Sequence, residues 1–100
     1  MNAILTKTDR QLFTKLAAVM AKHPGGSERF AIALKHDHFP LSAGEVIHET
    51  SDARKRISTR RVQRLNDLPV AAYPTEWAIA VENGVVVATP RAWCCDAPST

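Results

Sequence analysis

Ser51-Asp-Ala-Arg-Lys-Arg-Ile-Ser-Thr-Arg-Arg-Val-Gln-Arg-Leu-Asn-Asp-Leu-Pro69 is the stretch on which the fold of this chain turns. It holds Arg54, Lys55, Arg56, Arg60, Arg61 and Arg64, six of the 13 Lys and Arg. Ile57, Val62, Leu65 and Leu68 are set among them. A basic segment that must also pack is either a helix facing nucleic acid or a solvated helix face. On a helical wheel from Ile57 to Leu68, Arg61 falls inside the apolar arc, with Arg60, Gln63 and Asp67 opposite. Either Arg61 snorkels from the edge of the core, or the helix starts after Ile57 and the arc narrows. A start at Thr59 is preferred, with Asn66 and Pro69 closing the element.

Upstream, Ser42-Ala-Gly-Glu45 fits a capping box, which predicts a short helix to about Thr50 with Val46 and Ile47 inward. Gly44 in its first turn weakens that helix. Thr50-Ser51-Asp52 is then a turn or an N-cap. Ser27 to Phe39 reads two ways. Phe30, Ile32 and Leu34 alternate as in a strand, whereas a Ser27 cap and Ala31, Ala33, Leu34 and Lys35 favour helix, which is preferred. Near the start, Thr8-Asp-Arg-Gln11 is another capping-box match. Leu12, Phe13, Leu16, Val19 and Met20 then recur at helical steps, predicting a helix over about Asp9 to Lys22. His23-Pro24-Gly25-Gly26 stops it.

Downstream, Thr75–Val81 and Val85–Thr89 flank Asn83-Gly84, a strong signal for a hairpin with a type I′ turn. A two-residue loop pairs Val81 with Val86 and Ile79 with Ala88. Trp77, Ile79, Val81, Val86 and Ala88 then share one face, assigned to the core. Ala78, Ala80, Val85 and Val87 form the other face, which is small and still apolar. Pro90 ends the second strand.

Composition sets the outer limits. One hundred residues, 45% hydrophobic and 23% charged, are expected to make one globular domain over 1–96 with 97–100 as a frayed tail. The excess of positive charge is +3, so its clustering matters more than its size. No apolar run approaches the roughly 20 residues of a membrane span. The first residues lack the pattern of an export signal. The only cysteines, Cys94 and Cys95, are adjacent and close no useful loop. A cytoplasmic protein with reduced thiols is expected.

The order of helix, possible helix, short helix, turn, basic helix and Asn-Gly hairpin resembles a winged helix-turn-helix. Residues 41–50 stand where the supporting helix would be, Ile57–Leu65 where the recognition helix would be, and Asn83-Gly84 at the tip of the wing. The resemblance implies an α+β fold: a small helical N-terminal part followed by a C-terminal antiparallel β-hairpin. It implies a small, non-catalytic DNA-binding regulator of transcription.

Under that reading Arg60, Gln63 and Arg64 meet base edges, since Arg matches guanine and Gln adenine, while Arg54, Lys55 and Arg56 hold phosphates and Arg61 adds charge. A second class fits the same residues. A phage- or plasmid-encoded accessory protein or inhibitor would use the arginines as anchors on an acidic or nucleic-acid-binding protein and block its nucleic-acid site. The small apolar hairpin face is a candidate docking patch, homodimer included.

His36, His38, Cys94 and Cys95 are zinc-ligand types, but adjacent cysteines reach one tetrahedral ion poorly, so no metal or other cofactor is expected. His23, His36, His38 and His48 with Glu45, Glu49 and Tyr73 would allow ribonuclease-like acid–base chemistry. Triad, phosphate-loop and HExxH patterns are all absent, so an enzyme is not expected.

Overall fold

A computed structural model describes residues 5–95, so the tail expected at 97–100 lies outside the described residues. The fold is α+β, with helix first and a four-stranded mixed sheet after it. The backbone divides into two compact units, Met1–Asp37 and His38–Thr100.

The first unit begins with helix α1, Lys7–Lys22. Its capping box lies two residues before the expected one. The Thr6 hydroxyl accepts from the Asp9 N–H at 3.1 Å, and the Asp9 carboxylate accepts from the Thr6 N–H at 2.9 Å. Two of the amides left unbonded at the helix start are thereby satisfied by side chains of the same turn. His23 takes extended backbone angles and ends α1. Gly25, at φ 70°, then turns the chain into the single-turn helix α2, Gly26–Arg29.

Helix stops at Arg29, which corrects the helix preferred over 27–39. Phe30, Ile32 and Leu34 are exposed and belong to no helix or strand. Neither the helix propensity of the alanines nor the strand-like alternation produces an element there. Ile32 and Leu34 line a shallow apolar groove with Leu12 and Phe13 of α1.

Gly26 is buried, and a Cβ there would run into the Met20 carbonyl. Gly26→Ala should therefore force the α1–α2 turn open and cost about 1–3 kcal/mol, the range for overpacking. Urea melting followed by helical circular dichroism checks this. An unchanged midpoint would mean that the turn relaxes freely.

The second unit contains β1 (Glu45–Asp52), β2 (Ile57–Arg64), one 3-10 turn (Leu65–Asp67), β3 (Tyr73–Glu82) and β4 (Val85–Cys94). The sheet order is β2-β1-β4-β3. Both hairpins are antiparallel, and β1 runs parallel to β4.

Two expected helices are strands here. Over 42–50 the capping contact does form: the Ser42 N–H donates to a Glu45 carboxylate oxygen at 2.8 Å. The Glu45 N–H also returns to the Ser42 carbonyl at 3.0 Å. Gly44 at φ 80° makes this a turn rather than a first helical turn. Val46, Ile47 and Thr50 then favour extended chain, and burial alternates, with Val46 6% and His48 5% exposed. The basic helix expected within 57–65 is strand β2, paired residue for residue with β1 from Asp52↔Ile57 to Glu45↔Arg64.

The C-terminal hairpin has the expected register, Val81↔Val86 and Ile79↔Ala88. Asn83 (φ 53°) and Gly84 (φ 78°) both adopt the left-handed angles of a type I′ turn. Its assignment to the core is corrected, because Ile79 is 73% and Val81 69% exposed. Strand β1 reaches β4 only at Ala92–Cys94. Among the described residues, the far part of the hairpin is thus a two-stranded arm with no neighbour strand on either side. The core lies instead where the two hairpins meet, around Val46 and Ala92, which is 1% exposed.

Cys94 and Cys95 lie with their sulfurs against each other. Adjacent positions bring the sulfurs together without closing any larger loop. Among the described residues, no helix is long and apolar enough to cross a membrane.

Candidate nucleic-acid interface

Strands β1 and β2 are joined by a four-residue turn, Ala53-Arg54-Lys55-Arg56. Asp52 shapes it: its carboxylate accepts the Lys55 backbone N–H at 3.1 Å. The local acid is therefore engaged with backbone, while Arg54, Lys55 and Arg56 all stand exposed. Below the turn the Ser51 and Ser58 hydroxyls bond across the ladder at 2.9 Å and fix the base of the ribbon. Thr50, Thr59 and Lys55 border a shallow depression beside the tip.

Arg56 sits at φ 59°, a left-handed position where glycine or asparagine is at ease and a long side chain costs about 1 kcal/mol. An arginine there trades stability for a cation at the tip. Residues 38–100 carry seven Lys or Arg against seven Asp or Glu, and six of those seven cations fall between 54 and 64. The positive field of this unit is accordingly local to the β1–β2 hairpin.

The structure separates the residues expected to meet base edges. Strand alternation puts Arg61 and Gln63 on the face of Val46 and His48, and Arg60 and Arg64 on the opposite face. Gln63 is half-buried and donates its amide to the Asp67 carbonyl at 3.2 Å, where the chain leaves β2 to cross toward β3. Arg60 reaches over β1 and β4 to Glu76 on β3, 2.6 Å away, and lies 3.9 Å from Glu49. Arg64 remains exposed. No single surface presents Arg60, Gln63 and Arg64 together, whereas Arg54, Lys55 and Arg56 are contiguous.

The ion pairs of Arg60 are solvent-exposed and contribute little. Arg60→Ala is expected to change the unfolding free energy by less than about 1 kcal/mol in urea titrations. A change several times larger would make the Arg60–Glu76 bridge a structural clasp. The arginines of β2 also have a structural role: β2 is an edge strand, and charge along an edge discourages pairing with other chains.

The other candidate chemistries are dispersed. His48 is buried on one face of β1, while Glu45 and Glu49 lie on the other. The His23 ring meets the edge of Phe30 at 6.0 Å, and His36 Nδ1 lies 2.8 Å from the Leu34 carbonyl. Among the described residues no three of His, Cys, Asp and Glu are grouped to hold a metal ion. The feature missed from sequence is the turn at 53–56. Its signal was Asp52 three residues before Lys55, an arrangement that favours a side-chain-capped turn.

Comparison with protein families, with characterised proteins and with solved structures finds no match to this chain.

Proposed function

We propose that the chain is a non-catalytic nucleic-acid-binding protein that grips duplex phosphates with the tip of its β1–β2 hairpin. The observation that carries this reading is the contiguous, exposed Arg54-Lys55-Arg56 turn, with its acid Asp52 occupied by backbone and Arg56 held at a left-handed angle. A winged-helix form of the reading needs a recognition helix within 57–65. With a strand there, the basic segment is kept and the helix is given up.

A two-stranded ribbon is an established way to approach a groove. Here the cations sit at its end, which suits backbone contact better than base readout. Arg61 and Arg64, exposed farther along β2 on opposite faces of the ribbon, stand outside this three-residue contact. Regulation of transcription would then come from occupancy of DNA in the cytoplasm rather than from a base-reading helix.

The accessory-protein reading has its own support, the exposed apolar arm of β3 and β4. In that form the tip competes for a partner's nucleic-acid site. Binding of random-sequence duplex DNA across a salt series decides between them. Three phosphate contacts should give a log–log slope of about −2.7. Absence of binding at low salt, or a flat slope, would overturn the phosphate reading.

A further inference from the structure

We infer that two copies of this chain associate through the free edge of β3, in antiparallel register about a two-fold axis at Ala80. Strand β3 is at the end of the sheet, and among the described residues its outer edge pairs with nothing. The opposite edge, β2, carries Arg60, Arg61 and Arg64, whereas β3 from Trp77 to Val81 has no charge, proline or glycine. Exposed, uncharged edges of this kind are templates for another strand.

The hydrogen-bonding phase selects the register. In a hairpin closed by a two-residue loop, the flanking pair Glu82 and Val85 exchanges both backbone bonds. Ala80 and Ala78 then also bond inward to β4, and the N–H and C=O groups of Val81, Ile79 and Trp77 point outward. An axis at Ala80 sets Ile79 opposite the second copy's Val81, so these outward groups bond each other.

Charge disfavours the nearest competitor. An axis at Ile79 satisfies the same groups but brings Glu82 of each copy toward Glu76 of the other, at the point where the β3 ladder shifts register, and like charges in opposed positions repel. With the axis at Ala80, Glu82 faces Ala78 and Glu76 faces Gly84. The closest approach of the two chains then falls on Ala80 itself, a non-hydrogen-bonded pair with about 4.5 Å between Cα atoms, where a small side chain fits.

Apolar surface supplies the driving force. Ile79, Val81 and Val86 are each more than two-thirds exposed and lie on one face of the arm. Pairing at the edge brings the two copies of this face side by side. An isotropic apolar patch would not choose an orientation; the backbone edge does.

Sedimentation equilibrium of the full chain tests the inference together with two variants. The wild type should be a dimer at micromolar concentration, and Ile79→Lys, a charge set on the paired edge, should be a folded monomer by circular dichroism. Ala80→Cys should form a covalent dimer under mild oxidation, because the two sulfurs face each other across the axis. Ala78→Cys, which faces Glu82 of the other copy, should not. A monomeric wild type, a dimer untouched by Ile79→Lys, or equal cross-linking at Ala78 and Ala80 would each overturn it. Binding of DNA by the monomeric variant is read separately, so failure of the dimer and failure of the phosphate reading remain distinguishable.

Discussion

Replacement of Arg54, Lys55 and Arg56 together by alanine is expected to weaken binding to random duplex DNA evenly across sequences and to remove about 2.7 units of salt slope, 0.9 for each phosphate no longer neutralised. The fold should survive. The bond from Lys55 to Asp52 is made by the backbone N–H, which alanine keeps, and the three side chains are exposed. Arg56→Gly sharpens the test. It removes one cation, lowering the slope by about one unit, and it relieves the left-handed angle, so stability should rise by about 1 kcal/mol. Weaker binding in a more stable protein would separate the contribution of the charge from any damage to the fold. Unchanged DNA affinity in the triple variant would move the interface elsewhere.

Val46→Asp is expected to abolish the cooperative unfolding of the sheet unit at neutral pH. Val46 is 6% exposed on β1, a strand with neighbours on both sides. An unpaired carboxylate costs several kcal/mol there. A whole small domain has only about 5–15 kcal/mol, and this unit buries few side chains completely. Trp77 and Trp93 both belong to the sheet, so tryptophan fluorescence reports its melting directly. A transition within about 1 kcal/mol of wild type, less than the cost of one buried polar group, would mean that the β1–β4 junction is not where the sheet is held together.

These sites show how far the sequence could be read. The Asn83-Gly84 turn and the register beside it were legible, because two consecutive left-handed angles are demanded by the turn and tolerated by these residue types, whereas β4 runs on through Pro90, where it was expected to end, to Cys94. Helix α1 was legible from its 3.6-residue period, though its cap was misplaced by two residues because Asp9 does the work assigned to Gln11. The central region was not legible as strand. Ser42 and Glu45 make the capping contact that announces a helix, and only the left-handed Gly44 converts it to a turn.

For β2 a warning was available. A helical wheel forced Arg61 into the apolar arc, and strand alternation removes the conflict by placing Val62 and Arg61 on opposite faces. Pairing between β1 and β4 is parallel and spans more than 40 residues of sequence, and no local pattern encodes it. Hence the exposure of the hairpin arm was also hidden, since it follows from how few residues β1 shares with β4. The charged segment itself needed no fold to be noticed. Its division into a contiguous tip and two opposed strand faces did.

The measurement that bears most directly on the central claim is a map of backbone amide shifts on titration with a short random-sequence DNA duplex. The basic turn predicts that the largest changes fall on residues 53–57, on Asp52 opposite Ile57 and on the nearby Thr50–Thr59 pair, fade along β2 past Arg64, and shrink as salt is raised. Changes concentrated on the 77–90 arm, or none at 53–57 at a salt concentration where the duplex is bound, would contradict it.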